Sequence, residues 1–205
     1  YGEAQDYIDL ANASIDQNDI TAALTHFRKA VQIADEIQNR QSQNEAHSGL
    51  AFAHLIAGNF TQAEQSLVMA RQFDYPTNNA NVLALQGVIQ LRLNQATAAQ
   101  DSFTAAIAHA NGLLAQTPQL YDALDTVGLA QAGLALCGAS NPVFVKNRVA
   151  EHVTTAIESY SAARAITSAP GIVRRVLRLF DALAVVDTEG VLTDVRAAAA
   201  GEEAV

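Results

Sequence analysis

The sequence lacks tryptophan, has one cysteine and one methionine, and only 6% of its 205 residues are aromatic. A single cysteine, Cys137, excludes a disulfide within the chain, so the sequence predicts a reducing, cytoplasmic setting. The first residues show no signal-peptide pattern, and no apolar run approaches the ~20 residues of a membrane-spanning helix. The sequence therefore argues against a disulfide-stabilised secreted domain and against a transmembrane domain.

Basic residues are also scarce, with 12 lysines and arginines against 21 aspartates and glutamates. The formal net charge of -9 argues against nucleic acid or an anionic membrane as a partner, because both require a basic surface. Residues 1–140 carry 13 acids and five bases, whereas residues 141–205 carry eight acids and seven bases. Since the chain begins at Tyr1 and not at methionine, we expect a fragment of a longer polypeptide.

Hydrophobic residues, alanine above all, are abundant at 50% of the chain, and this composition predicts closely packed helices around a sizeable core. One pattern recurs four times: a small residue, a large one four positions later, and a small one three positions after that. This spacing places the three residues on one stripe of a helix. The stripes are Ala23, Phe27, Ala30; Ala63, Leu67, Ala70; Ala99, Phe103, Ala106; and Ala156, Tyr160, Ala163.

Each stripe follows a second small residue that lies inside an earlier helical pattern. Ala11, Ala51 and Gly87 stand twelve residues before the first three stripes, and Gly128 stands 28 residues before the fourth. Each repeat therefore predicts a pair of helices that touch at small residues. The large residue of each stripe is expected to pack towards the neighbouring pair.

This pattern resembles the tetratricopeptide repeat (TPR), in which small and aromatic residues mark the same packing positions. The usual tryptophan of that family is missing, and its conserved leucine is kept only as Leu10 and Leu50. The repeats are spaced 40, 36 and 57 residues apart, whereas the family repeats at about 34. The resemblance implies an all-α, right-handed superhelix of antiparallel helix pairs, a TPR-like α-solenoid of about ten helices.

Turn-forming residues divide the chain. Asn18, Gly58 and Asn94 are expected in the left-handed backbone conformation between the two helices of a pair. Pro76, Pro118 and Pro170 are expected where one pair ends and the next begins. The predicted pairs span about 1–40, 41–76, 77–117 and 118–170, the last with an insertion near 138–147, and residues 171–205 form capping helices.

Residues with catalytic or metal-binding potential are few. His47 and His54, with Glu45 nearby, could share a helix face, but they lack the spacing of a metal site, and a structural role is the favoured interpretation. Cys137 follows an apolar helical run, where an inert buried cysteine is the favoured interpretation over a nucleophile.

Asp122 and Asp125 lie three residues apart, as a general acid and base would, but a solvated first turn of a helix is the favoured interpretation. The sequence contains no glycine-rich phosphate loop, no GxSxG, no HExxH and no CxxC pair. We therefore predict that the chain is not an enzyme and that it has no metal or cofactor.

In TPR arrays the first helices of the pairs line a concave groove, and the register of this sequence predicts which residues face it. About half of them are expected to be core between adjacent pairs. An apolar centre with acidic ends would suit an amphipathic or basic helix or strand. The family's chaperone-binding members grip a peptide's C-terminal carboxylate with Lys and Asn, and since these positions hold almost no Lys or Arg, we expect that clamp to be absent. The predicted groove residues are Asn12, Ile15, Phe52, Leu55, Ile56, Val88, Leu91, Arg92, Asp122 and Asp125.

Two runs, "YDALDTVGLAQAGLAL" and "AARAITSAPGIVRRVLRLFDALA", resemble the C-terminal helical repeats of bacterial STAND proteins, signal-transducing ATPases of the NLR-like kind. The resemblance implies a sensor arm that recognises a protein or peptide trigger and contacts other domains of its parent polypeptide. The alternative is a stand-alone scaffold or adapter that binds a peptide segment.

The C-terminal third holds the one concentration of basic residues in the sequence. A solvated capping helix, whose side-chain stems cover apolar surface, is the favoured interpretation. The alternative is a second surface that contacts an acidic partner. Its residues are Lys146, Arg148, Arg174, Arg175 and Arg178.

Overall fold

The computed structural model describes residues 2–138 and 145–202, without the side chains at 145 and 146, and these residues form ten α-helices and no strand. No helix in these ranges is both long and apolar enough to cross a bilayer. The helices are α1 (Gly2–Asp16), α2 (Ile20–Ile37), α3 (Arg40–Ile56), α4 (Phe60–Gln72), α5 (Pro76–Arg92), α6 (Ala96–Gln116), α7 (Tyr121–Gly138), α8 (Val145–Ile166), α9 (Pro170–Ala184) and α10 (Thr193–Ala200).

The predicted all-α class of about ten helices is confirmed. Helices that follow each other after a three-residue turn and remain in contact must run antiparallel, as α1 and α2 or α3 and α4 do. The right-handed superhelical path stays a prediction. The core of the predicted insertion, residues 139–144, lies outside the described residues.

The expected turn residues have the expected backbone. Asn18, Gly58 and Asn94 have φ values of 62°, 76° and 59°, and each lies between the two helices of a pair. Glycine adopts this left-handed region without strain, and asparagine tolerates it better than other side chains. Local chemistry therefore fixes the three turns.

Prolines begin helices or lie between pairs, also as expected. Pro76 is the first residue of α5 and Pro170 the first of α9, where the missing N–H of proline costs no intrahelical hydrogen bond. Pro118 lies between α6 and α7.

The chain forms two compact units, the first ending at Val82 and the second beginning at Leu83, so the boundary falls inside α5. In the first unit, α3 contacts α1, α2 and α4. In the second unit, α7 contacts α6 and α8, and α10 contacts α8 and α9. The division into four pairs and a cap stays a prediction.

The core is built from the four stripes, whose twelve residues are all buried. The three aromatic members pack against glycines, and the contacts of Phe27 and Phe103 with Gly49 and Gly133 reach the next pair along the chain, as the sequence predicted. In the first unit, the Phe27 ring of α2 lies directly against Gly49 of α3. In the second unit, the Phe103 ring of α6 contacts both Gly87 of α5 and Gly133 of α7.

The fourth stripe follows the same rule. A Cβ atom at Gly128 of α7 would lie 2.7 Å from the Tyr160 ring of α8. The other neighbour of that ring is Phe180 of α9, with 5.6 Å between the ring centroids. An aromatic side chain of one helix thus joins two further helices at its contact point.

Candidate functional site

The predicted groove residues of the first unit are mostly internal. Ile15, Phe52 and Leu55 are each 3% exposed, whereas Asn12 and Ile56 are half-buried. The apolar centre expected on α3 therefore belongs largely to the packing around that helix, which contacts three others.

The second unit shows the same arrangement on α5. Val88 and Leu91 are buried, and Arg92 is half-buried. The Arg92 guanidinium donates a hydrogen bond of 3.0 Å to the carbonyl oxygen of Ala182, in the last turn of α9. Since the last carbonyls of a helix lack intrahelical donors and carry partial negative charge, this bond stabilises the end of α9.

Asp125 corrects the expectation of a solvated first turn. Asp122 is exposed, but Asp125 is buried and forms an ion pair with Arg164 of α8. Burial raises the pKa of Asp125 to about 6, although the hydrogen bond and charge of Arg164 act in the opposite direction. Arg164 lies 39 residues away in the sequence. The spacing of Asp122 and Asp125 at the start of a helix therefore could not indicate the ion pair with Arg164.

A polar cluster that sequence reasoning missed joins α3 to the start of α5, within the first unit. Asn44 of α3 is fully buried, and its Nδ2 donates to the carbonyl oxygens of Ala70 (3.0 Å) and Phe73 (2.9 Å) at the end of α4. The Ala70 carbonyl also accepts the backbone N–H of Phe73, so the two Asn44 bonds tie the end of α4 to α3 and fix the orientation of the Asn44 amide.

The fixed amide of Asn44 orders its neighbours. Its Oδ1 accepts a 2.7 Å bond from Asn78 Nδ2, which also donates to Ser48 Oγ at 3.3 Å. Asn78 Oδ1 in turn accepts from Asn81 Nδ2 at 3.4 Å. We call Asn44, Ser48, Asn78 and Asn81 the amide cluster.

The amide cluster is internal at one end and accessible at the other. Asn44 is buried, whereas Ser48, Asn78 and Asn81 are half-buried. Asn78 uses both of its N–H groups within the cluster, whereas its Oδ1 accepts one of the two bonds that an amide oxygen can accept, so at Asn78 the cluster can bind a further N–H donor. The sequence signal was the density of asparagine in "NNAN", residues 78–81, because asparagine has a low helix propensity and its side-chain amide readily forms hydrogen bonds.

His47 and His54 are both buried on α3. The His47 ring stacks on Phe73 with 5.8 Å between the centroids, and neither of its nitrogens has a hydrogen-bond partner. Burial lowers the pKa of both imidazoles, so they are neutral at pH 7. Among the residues that the structure describes, no three potential metal-binding side chains come together.

Cys137 is half-buried near the end of α7, and its Sγ lies 3.6 Å from the carbonyl oxygen of Ala96. Burial raises the pKa of the thiol to about 11. The thiol is therefore protonated at neutral pH, and since the thiolate is the reactive form, Cys137 is a weak nucleophile.

The basic residues lie on α8 and α9. Arg174 and Arg175 are exposed near the start of α9, Arg178 is half-buried one turn later, and Arg148 is exposed near the start of α8. The side chain of Lys146 lies outside the described residues.

No protein-family model matches the chain, and no curated protein matches it. Among solved structures, the crystal structure of MamA protein is similar over 100% of this chain and 99% of that one. The two share 19% of their residues, with a TM-score of 0.42.

Proposed function

We propose that the chain is a non-catalytic protein-interaction domain that binds an extended peptide segment at the amide cluster. The observation that carries the proposal is the ordered series of side-chain amides that runs from the buried Asn44 to the half-buried Asn78 and Asn81. An amide held in one orientation loses little freedom on binding, and preorganisation of this kind favours recognition.

An extended peptide suits the chemistry of the cluster. Its backbone presents N–H donors and C=O acceptors in alternation. Both Nδ2 protons of Asn78 are bound within the cluster, so Asn78 offers the second lone pair of its Oδ1 to a backbone N–H. Charge favours a neutral or basic segment, since residues 2–82 contain ten acidic and four basic residues. The half-buried Glu45, which accepts a 3.1 Å bond from Gln41 on the same helix, adds negative charge one turn from Ser48.

The side chains that were candidates for catalysis support the proposal that the domain is non-catalytic. Asp125 is engaged by Arg164, His47 is stacked on Phe73, and the Cys137 thiol is protonated at neutral pH. Each side chain serves packing or pairing inside its own unit.

Selection of peptides from a random display library, followed by affinity measurement, tests the proposal. We expect selected peptides to lose at least about tenfold in affinity for an Asn78→Ala/Asn81→Ala variant, the effect of ~1.4 kcal/mol of lost hydrogen bonding. A matched control replaces two exposed asparagines elsewhere, Asn59→Ala/Asn111→Ala, and should bind normally. The proposal fails if a folded Asn78→Ala/Asn81→Ala variant binds the selected peptides as tightly as the control.

At the level of the parent protein, we propose the sensor arm of a STAND signalling or defence ATPase in the bacterial cytoplasm, with a protein or peptide as trigger. The support is the resemblance of the α7 and α8–α9 sequences to such arms. The alternative is a stand-alone scaffold or adapter. The parent reading frame discriminates between them: a nucleotide-binding module upstream of Tyr1 supports the first, and a short frame without one contradicts it.

A further inference from the structure

We propose that the peptide bound at the amide cluster carries a lysine or arginine, whose cationic nitrogen pairs with Glu45 beside Ser48. This selectivity rests on the proposed peptide-binding function and adds to it the side chain that is recognised. Glu45 and the whole amide cluster lie in the first unit. Two features point to a cation: the direction of the hydrogen bonds in the cluster, and the Glu45 carboxylate next to them.

The carbonyl oxygens at the end of α4 set the direction of these bonds. The carbonyls of Ala70 and Phe73 can only accept, so the Asn44 amide turns its nitrogen towards them and its oxygen towards Asn78. Asn78 must then present its own nitrogen to that oxygen, which directs its Oδ1 away from Asn44. The partial negative charge of the helix end is thus carried through two amides to a half-buried oxygen.

Donors in this part of the cluster are occupied, whereas acceptor positions remain. Both Nδ2 protons of Asn44 and of Asn78 are bonded, and the Ser48 hydroxyl donates to the backbone oxygen of Glu45 at 3.0 Å. Within the described part of the chain, Ser48 Oγ accepts one bond, from Asn78, although a hydroxyl oxygen has two lone pairs. A group that binds at Ser48 must therefore supply the hydrogen.

Glu45 adds negative charge to these acceptors. It is half-buried and stands three residues before Ser48 on α3, so the two side chains share a face with about 5 to 6 Å between their Cβ atoms. Its carboxylate accepts a 3.1 Å bond from Gln41, and a carboxylate can accept about four. A nitrogen placed over Ser48 can therefore bond to the Ser48 hydroxyl and the Glu45 carboxylate together.

Lysine and arginine fit this pair of acceptors better than any other peptide group. Each has several N–H donors and no acceptor, so none of its polar atoms is left facing an oxygen. Hydrogen bonds between a cation and a carboxylate are roughly twice as strong as those between neutral groups. A peptide whose backbone N–H bonds to Asn78 Oδ1 holds such a side chain next to Ser48, since Asn78 Nδ2 lies 3.3 Å from Ser48 Oγ.

Fluorescent peptide pools test this selectivity on the whole chain by anisotropy. Each pool has random uncharged residues around a central lysine, arginine, glutamine or glutamate, with both termini capped. We expect the lysine and arginine pools to bind about tenfold more tightly than the glutamine pool, and the glutamate pool to bind most weakly. Equal binding of the lysine and glutamine pools would overturn the proposal. So would a glutamine pool with a free amino terminus that binds as tightly as the capped lysine pool.

Two variants separate this selectivity from peptide binding itself. Glu45→Gln should abolish the preference for the lysine pool and leave binding of the glutamine pool unchanged, whereas Asn78→Ala should weaken binding of every pool. The matched control Glu36→Gln removes the same charge from a glutamate that accepts a 2.8 Å bond from Gln32 on its own helix, and it should keep the preference.

The possible failures are distinguishable. A lysine preference that survives Glu45→Gln, or that Glu36→Gln abolishes equally, overturns the selectivity while peptide binding at the amide cluster stands. Pools that bind the folded Asn78→Ala variant as tightly as the wild type overturn the proposed function. A wild-type chain that binds none of the pools overturns both.

Discussion

Gly133 of α7 and Gly87 of α5 lie on two sides of the Phe103 ring, and this contact shows how single residues set the spacing of the helices. A Cβ atom at Gly87 would lie 2.5 Å from the ring, closer than real Cβ contacts allow. Phe103 is completely buried, so the ring cannot move aside into solvent. Glycine is required here for close approach, and the backbone conformation is ordinary helix.

We predict that Gly133→Ala lowers the free energy of unfolding by roughly 1 to 3 kcal/mol, the usual cost of overpacking a core. The matched control is Gly112→Ala, since Gly112 is also helical but has no atom within 4 Å of its added Cβ. There we expect a gain of about 0.5 to 1 kcal/mol, because alanine is the better helix former. Denaturant unfolding of both variants measures this, and equal effects would show that the Phe103 contact does not limit packing.

A second residue-scale prediction concerns Asp125, whose pKa burial raises to about 6 from the ordinary 3.8. The folded chain holds this proton more tightly than the unfolded chain does. The stability that protonated Asp125 contributes to the folded chain is therefore complete below about pH 4 and is lost as the pH rises through 6.

Relative to Asp125→Asn, which keeps an acceptor for Arg164, the wild type should lose roughly 1 to 3 kcal/mol of unfolding free energy between about pH 4 and pH 7. Chemical denaturation of both proteins at several pH values measures the difference. Parallel pH profiles of the two proteins would show that Asp125 keeps its ordinary pKa.

His47 should have the opposite effect in the first unit. Burial lowers its pKa, the charge of Asp35 opposing, so the stability that the neutral ring contributes is present above pH 6.5 and lost as the pH falls through the lowered pKa. The variant His47→Phe preserves the stack on Phe73 and removes the titration. We expect this variant to unfold at lower pH than the wild type, and circular dichroism during an acid titration measures the midpoint. The same midpoint for both proteins would show that protonation of His47 does not drive acid unfolding.

At the scale of elements, the helix boundaries follow from local signals. The left-handed residues Asn18, Gly58 and Asn94 end the first helix of their pairs, and prolines mark the starts of α5 and α9. Local chemistry of this kind can be predicted from sequence because each turn depends on a few adjacent residues. One boundary breaks the rule: Gln38, the residue that follows α2, has φ 51° without being glycine or asparagine.

We predict that Gln38→Gly stabilises the chain by about 1 kcal/mol, because glycine enters the left-handed region without the cost that a Cβ atom brings. The comparison variant is Gln95→Gly, since Gln95 has φ -101° and therefore no left-handed strain for glycine to relieve. Thermal unfolding followed by circular dichroism should show a higher midpoint for Gln38→Gly only. A lower midpoint would mean that the Gln38 side chain contributes more than its backbone strain costs.

The contacts that order the amide cluster belong to the same scale, and the sequence could not supply them. Asn44 bonds to carbonyls 26 and 29 residues away, and Asn78 to a side chain 34 residues away. Periodicity places a residue on a face of its helix but does not name the partner across the interface. The same limit explains why the sequence predicted a solvated Asp125, because its partner Arg164 lies on α8, 39 residues away.

For the whole molecule, repetition predicted the all-α architecture, since four stripes that agree must serve the same packing role. Which apolar positions remain open could not be predicted, because this depends on how closely successive first helices approach. Val88 and Leu91 fit a groove by register, yet they are buried in the second unit. In the first unit, the register residues Asn12 and Ile56 are half-buried, as Asn78 and Asn81 of the amide cluster are.

The central claim is that the amide cluster is the recognition surface, and NMR of the asparagine side-chain amides tests it most directly. Nitrogen-15 spectra of the whole chain are recorded with and without a selected peptide, using Asn59 and Asn111 as internal references. The account predicts that the Nδ2 signals of Asn78 and Asn81 shift on binding while both reference signals stay in place. A bound peptide that leaves the Asn78 and Asn81 signals unchanged and shifts backbone signals of α7 or α9 instead would contradict it.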